Sequence, residues 1–139
     1  MSKVLACVDG SEISDRVLAK AVDRVKSEGG ELVVLYVVED FCPVGLTEID
    51  CDMVRDFMRK EAKVIIDQAL EKVRAMGVEA KGVIREGRPA DEIVAFAKDE
   101  GIDEIFIGSH GRHGAKKVLL GSVSSRVVEY AACPVTVIK

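Results

Sequence analysis

Residues 105–139 read IFIGSHGRHGAKKVLLGSVSSRVVEYAACPVTVIK, and this stretch organises the rest of the chain. It begins with an apolar run typical of a strand and ends with another at 134–138. No Asp or Glu occurs from 105 to 128, although 24 acids among 139 residues would place about four there. In their place stand glycines and cations: Gly108, Gly111, Gly114, Gly121, Arg112, Lys116, Lys117 and Arg126. A cationic, glycine-rich loop in a chain of net charge −4 indicates an anion-binding site.

The bulk composition limits the class of protein. At 139 residues the chain has the length of one domain, taken as residues 1–139, with 48% hydrophobic and 32% charged residues, as in a soluble globular protein. No apolar run reaches the roughly 18 residues that a membrane span needs. The N-terminus does not resemble a signal peptide, so we expect a cytoplasmic protein. An acidic pI of about 5.3 argues against a nucleic-acid-binding protein.

The four cysteines form neither a C-x-x-C motif nor a metal-binding spacing. Cys7 and Cys133 stand among apolar residues and are expected to be small core side chains. Cys42 and Cys51 flank one loop, so a bridge between them is geometrically possible. Because cytosolic thiols usually stay reduced, free thiols are the expectation for this pair.

Apolar runs alternate with helical periodicity along the whole chain. Strands are predicted at 3–8, 31–38, 78–84, 103–107 and 134–138, and helices at 12–28, 53–76, 90–100 and 122–132. Strands that alternate with helices form parallel sheets with right-handed crossovers. The sequence therefore predicts an α/β fold, a single doubly wound, Rossmann-like sheet of five parallel strands with helices on both faces.

Two segments receive more specific predictions. The third strand is the least apolar and is expected at an edge of the sheet, and residues 39–52 are expected to be an irregular loop. The long helix at 53–76 is expected to bury one apolar face, made of Phe57, Met58, Ile65, Ile66, Ala69, Leu70 and Val73.

The ends of three strands are candidates for a ligand site. Asp9 follows the first strand, Val37 ends the second, and Gly108 follows the fourth. In doubly wound sheets, ligands bind beyond the carboxyl ends of the strands, where the direction of winding reverses. All three residues are therefore expected at one edge of the sheet, around one binding site.

Charge distinguishes the two helices that begin at this edge. The first helix opens with Glu12 and Asp15, whose carboxylates would repel a phosphate. The last opens with Gly121 and Ser122 and has no acid in its first two turns, so its N–H groups are a suitable phosphate site. The glycine spacing fits neither the dinucleotide-binding fingerprint nor the P-loop.

These residues resemble a known family. Gly108-x2-Gly111-x9-Gly121-Ser122 is similar to the glycine–serine signature of the ATP-binding branch of the universal stress protein family. The turn at 8–11 and the closing residues 133–138 also resemble that family, and the similarity covers essentially the whole chain.

The resemblance carries expectations for the ligand and the assembly. It implies that Asp9 and the backbone around Val37 hold the adenine and ribose of ATP. It implies a homodimer formed through strand 134–138, and a divalent cation, Mg²⁺, held among the phosphates. It also implies a set of triphosphate-binding residues: Gly108, His110, Gly111, Arg112, His113, Gly114, Gly121, Ser122, Val123 and Ser124.

Each of these residues also has a simpler interpretation. Asp9 could cap the first helix or its turn. His110 could face a phosphate or only solvent, and a metal site at His110 and His113 is disfavoured because two ligands are too few. Ser122 has no acid nearby in sequence to support a nucleophile, so a phosphate ligand is the better interpretation. The glycines could simply be turns, and Lys116 and Lys117 could simply be solvated.

Three functions remain compatible with this pattern. The first is a regulatory protein that binds ATP, with slow hydrolysis at most, and acts on protein partners that the sequence does not identify. The second is a phosphohydrolase or an adenylyl-transfer enzyme, disfavoured because no general base is evident near the phosphates and Asp9 is expected at the other end of the site. The third is an interaction module that binds no nucleotide.

Overall fold

The computed structural model describes residues 2–39, 42, 45, 47–111 and 120–139. Nine elements alternate within these ranges. The strands are β1 (Lys3–Cys7), β2 (Glu31–Glu39), β3 (Ala80–Gly87), β4 (Glu104–Gly108) and β5 (Val135–Ile138). The helices are α1 (Glu12–Glu28), α2 (Glu48–Ala75), α3 (Pro89–Asp99) and α4 (Ser122–Tyr130).

The five strands form one parallel sheet in the order β3-β2-β1-β4-β5. The predicted doubly wound α/β fold is confirmed, and β3 lies at an edge as its polar pattern indicated. Because the chain runs outward from β1 in both directions, the direction of winding reverses between β1 and β4. The carboxyl ends of β1, β2 and β4 therefore surround the point where ligands bind in such sheets.

Both faces of the central strands are buried, which explains their nearly continuous apolar sequences. On one face, Val4 and Ala6 pack with the apolar residues of α1 and α2. On the other face, Leu5 and Cys7 pack with those of α3 and α4. No helix within the described ranges is both long enough and apolar enough to cross a membrane.

Helix α2 differs from its prediction in two respects. It begins at Glu48 rather than at 53, because Thr47 caps it by accepting a hydrogen bond from the Asp50 N–H at 3.2 Å. Phe57, predicted on the buried face, is 68% exposed. The face that packs on the sheet repeats at i, i+4, i+7 and i+11, and Phe57 lies on the opposite side. Buried residues of this face are Ala62, Ile66, Ala69 and Val73.

The expectation of free thiols is wrong for Cys42 and Cys51, which the structure joins by a disulfide with their Cα atoms 5.5 Å apart. The early start of α2 explains this pairing, because it places Cys51 in the first turns of a helix, buried and within bonding range of Cys42. Cys7 and Cys133 are free thiols. Burial raises the pKa of the Cys7 thiol, and nearby Cys133 adds to that effect, so Cys7 is the neutral core side chain that the sequence predicted.

Candidate functional site

A cavity of about 340 Å³ opens at the carboxyl ends of β1, β2 and β4. Most of its lining comes from the β1–α1 turn, the end of β2, the segment after β4 and the first turn of α4, and further residues come from α2 and α3. The predicted site residues within the described ranges all line it: Asp9, Val37, Gly108, His110, Gly111, Gly121, Ser122, Val123 and Ser124. Arg112, His113 and Gly114, together with Lys116 and Lys117, lie outside the described residues.

The N-terminus of α4 opens into this cavity, and its first N–H groups have no acceptor within the helix. Its first intrahelical bond runs from the Ser125 N–H to the Gly121 carbonyl at 3.0 Å. The N–H groups of Ser122, Val123 and Ser124 precede that bond, so they have no acceptor within the helix. The other three helices carry two acids each in the first turn, whereas α4 carries none. The positive end of the α4 dipole is therefore the one best suited to an anion.

Three glycines allow close approach of backbone segments in this cavity. A Cβ atom on Gly121 would lie 3.3 Å from the Cα of His110, and one on Gly108 would lie 2.8 Å from the Ile13 Cγ2. A Cβ atom on Gly111 would lie 2.7 Å from the Asp9 Oδ2. None of the three has a positive φ. At these three positions limited space, rather than a left-handed backbone conformation, favours glycine over a larger residue.

Asp9 organises the β1–α1 turn through one carboxylate oxygen. Its Oδ1 accepts hydrogen bonds from the Ser11 N–H at 3.0 Å, the Ser11 Oγ at 2.5 Å and the Ser14 Oγ at 2.9 Å. Ser11 occupies the N-cap position of α1, but its hydroxyl bonds Asp9 rather than the helix. The simpler interpretation of Asp9 as a turn residue is thus correct for Oδ1.

The other carboxylate oxygen of Asp9 lies closer to the glycine loop than predicted. Oδ2 lies against Gly111, in the glycine loop, whereas the sequence placed Asp9 at the far end of the site from that loop. The turn after β1 and the segment after β4 are neighbours because β1 pairs with β4. A carboxylate therefore stands close to the predicted phosphate-binding loop.

Ser124, which the resemblance places among the triphosphate-binding residues, uses its hydroxyl within the protein. The side chain is 2% exposed, and its Oγ donates to the Ser109 carbonyl at 2.8 Å and approaches the Gly121 carbonyl at 3.1 Å. That hydroxyl is used within the protein, so only the backbone N–H of Ser124 remains for an anion. Ser122, by contrast, is exposed and lines the cavity.

Sequence reasoning missed the side of the cavity formed by α2 and by the residues of β2 other than Val37. Met58 and Glu61 of α2 line it, together with Tyr36 and Glu39 of β2. Met58 was predicted only as a core residue, since its spacing fits the buried face of the helix. Its position over the sheet edge depends on how far α2 extends past the ends of the strands. The helical periodicity of the sequence does not indicate that distance. The acids of this cavity, Asp9, Glu39 and Glu61, belong to its β1, β2 and α2 walls and not to α4.

A metal site built from protein side chains alone finds no support in the described part of the chain. No group of three or more His, Cys, Asp or Glu side chains there could hold a metal ion. The H-x-x-H pair is not tested by this observation, because His113 lies outside the described residues.

Known proteins resemble the chain over its full length. The family model for the Universal stress protein family matches residues 1–139. Universal stress protein YxiE of Bacillus subtilis is 34% identical over 146 residues, which cover 99% of both chains. Universal stress protein MJ0531 of Methanocaldococcus jannaschii is 35% identical over 99% of this chain and 81% of its own.

Solved structures share the fold. Universal stress protein UspA from Lactobacillus plantarum superposes with a TM-score of 0.89 at 29% identity, covering 99% of this chain and 97% of that one. The universal stress protein from Archaeoglobus fulgidus, solved in complex with dAMP, has a TM-score of 0.67 at 27% identity and covers 100% of this chain and 98% of its own.

Proposed function

Because the chain belongs to the universal stress protein family, we propose that it is an ATP-binding member whose nucleotide occupancy regulates a homodimer and its protein partners in the stress response. The observation that carries this proposal is the acid-free N-terminus of α4, whose first three N–H groups have no acceptor within the helix and open into a cavity at the switch point of the sheet. The dAMP complex of the Archaeoglobus fulgidus relative supports an adenine nucleotide as the ligand.

Charge orients the proposed nucleotide in the cavity. The walls formed by β1, β2 and α2 carry Asp9, Glu39 and Glu61, which would repel a triphosphate. Carboxylates accept hydrogen bonds, so this side suits the ribose hydroxyls and the amino group of adenine, near Asp9 and the Val37 backbone. The phosphates belong on α4 and on the loop from Gly108 to Gly114.

Each part of the phosphate site has a defined task in this proposal. Backbone N–H groups of Ser122, Val123 and Ser124 and the hydroxyl of Ser122 donate to phosphate oxygens. Arg112 and His113 of the loop would add donors, and Gly114 would keep its backbone accessible. Mg²⁺ would be bound through the phosphates, where it neutralises their charge.

Hydrolysis is expected to be slow at most. Asp9 lies close enough to the loop to serve as an acceptor, but its Oδ1 already receives three hydrogen bonds from the β1–α1 turn. That oxygen is engaged in holding the turn and not in activating a water molecule. The site is thus better suited to binding a nucleotide than to hydrolysing it.

Calorimetric titration of the nucleotide-stripped protein tests the proposal. We expect ATP to bind with a dissociation constant on the order of micromolar in the presence of Mg²⁺. AMP should bind about tenfold or more weakly, because it reaches fewer of the donors on α4. Equal affinities for ATP and AMP would contradict the triphosphate site. Binding of neither would favour the interaction module that needs no nucleotide.

The proposed homodimer uses the free edge of β5. The Ile105 N–H donates to the Pro134 carbonyl at 2.9 Å and the Ser109 N–H to the Ile138 carbonyl at 2.7 Å. In a strand, the backbone N–H and C=O groups of successive residues point alternately to its two sides. Because those of Ile138 and Pro134 face β4, the carbonyl and N–H of Val137 face away from β4. An edge strand with such groups can pair with the same strand of a second copy across a two-fold axis.

Proline at position 137 tests this interface. Val137→Pro removes an outward-facing N–H and leaves the bonds between β4 and β5 intact, so we expect a folded monomer. Val137→Ala shortens the same side chain but keeps the N–H, and it should remain dimeric. Sedimentation equilibrium of the wild type and both variants measures the outcome. A dimer that survives Val137→Pro would place the interface elsewhere.

A further inference from the structure

Ser109 is a buried polar residue between two residues that line the candidate phosphate site, Gly108 and His110, and sequence reasoning did not select it. It is 4% exposed and directly follows β4. Its N–H donates to the Ile138 carbonyl at 2.7 Å, and its own carbonyl accepts from the Gly121 N–H at 2.6 Å and from the Ser124 Oγ at 2.8 Å. These backbone bonds join β5 and the start of α4 to the base of the glycine loop.

The Ser109 side chain has a separate partner. Its Oγ lies 3.1 Å from the Nδ1 of His110, within hydrogen-bond distance. His110 lines the cavity, and its backbone lies next to Gly121, the N-cap of α4. The ring of His110 is therefore held at the end of α4 that is best suited to an anion.

The hydrogen bond between Ser109 and His110 determines which ring nitrogen of His110 is available to a ligand. With Nδ1 engaged by Ser109, Nε2 is the remaining ring nitrogen, and no residue of the described ranges bonds it. A serine hydroxyl both donates and accepts. When it donates to Nδ1 of the neutral ring, the proton of the imidazole resides on Nε2. When the ring is protonated, the hydroxyl accepts from Nδ1–H and Nε2–H is retained.

We propose that Ser109 is a positioning residue of the phosphate site, which holds the His110 ring so that Nε2–H donates to a phosphate oxygen of the nucleotide. This inference rests on the proposed function, since it requires a nucleotide phosphate bound next to His110. Ser109 itself touches no phosphate. Its effect on binding passes through His110, whereas its backbone bonds maintain the loop independently of the hydroxyl.

A double-mutant cycle separates these two contributions. Ser109→Ala removes the hydroxyl and keeps the backbone N–H and carbonyl that bond Ile138 and Gly121. We expect Ser109→Ala and His110→Ala each to weaken Mg·ATP binding by about tenfold, and the double variant to be no weaker than His110→Ala alone. Affinity for adenosine, which has no phosphate, should be the same in all four proteins. Calorimetry or fluorescence titration measures both ligands.

The outcomes distinguish this inference from the proposed function. Additive losses in the double variant, or an equal loss of adenosine affinity, would show that Ser109 acts on the loop and would overturn its role through His110. No ATP binding by the wild type would overturn the phosphate site itself and the inference with it. ATP binding that Ser109→Ala leaves unchanged would overturn the inference alone.

A spectroscopic measurement tests the geometry without ligand, and remains available if Ser109→Ala fails to fold. Long-range ¹H–¹⁵N spectra identify the protonated nitrogen of each neutral histidine, and His113→Gln assigns the two rings, since the chain has 2 histidines. We expect His110 to carry its proton on Nε2 in the wild type. A proton on Nδ1 would direct a lone pair at the phosphate and would overturn the proposal.

Discussion

Replacing Gly121 by valine is expected to reduce Mg·ATP affinity by about 100-fold or more while the protein stays folded. A Cβ atom at this position would lie 3.3 Å from both the His110 Cα and the Ser109 carbonyl oxygen, before the two methyl groups are added. The start of α4 would have to move away from the glycine loop. The N–H groups of Ser122 and Val123 would then no longer converge with the loop on one phosphate.

The cost to folding should be smaller than the cost to binding. Overpacking of this kind destabilises proteins by about 1–3 kcal/mol, and Gly121 lies at a helix end beside an open cavity. Ser125→Val is the matched control, because Ser125 is an exposed residue of the same helix and does not line the cavity. It should bind ATP like the wild type. If Gly121→Val bound ATP normally, the phosphates would not lie on α4.

Much of the architecture follows from sequence because its causes are local. β1, β2 and β4 are apolar on both faces, and only a sheet covered on both sides accommodates such strands. The polar pattern of β3 predicted an edge, and the absence of acids predicted the helix end that opens into the cavity. These are properties of single segments, so no knowledge of their neighbours was needed.

The features that sequence reasoning missed depend on contacts between segments. The exposure of Phe57 and the Cys42–Cys51 disulfide both follow from where α2 begins and how it lies on the sheet. The hydroxyl of Ser124 turns inward because the Ser109 carbonyl is within reach, 15 residues away in sequence. A serine that binds a ligand and a serine that holds a loop have the same appearance in a sequence.

Asp9 illustrates this difference, since its two oxygens have different surroundings. Asp9→Ala removes the common acceptor of the Ser11 N–H and the hydroxyls of Ser11 and Ser14. We expect it to destabilise the protein by about 1–3 kcal/mol, because these partly buried donors lose their acceptor. Asp9→Asn keeps an acceptor oxygen of the same shape and should cost less than about 1 kcal/mol. Chemical denaturation of both variants measures this difference.

Binding of ATP should respond alike to the two substitutions, unlike the stability of the protein. If Asp9 accepts a hydrogen bond from the ribose or contacts Mg²⁺, both substitutions remove the charged acceptor and should weaken Mg·ATP binding by about tenfold or more. A direct contact between Asp9 and a phosphate would have the opposite sign, and the Oδ2 of Asp9 lies against Gly111 in the loop proposed to hold the phosphates. A carboxylate facing a phosphate without a cation between them repels it, and Asp9→Asn would then strengthen binding. Titration of Asp9→Asn with ATP, with and without Mg²⁺, decides between the two. Weaker binding with Mg²⁺ supports the ribose or cation contact, whereas tighter binding in both conditions would contradict it.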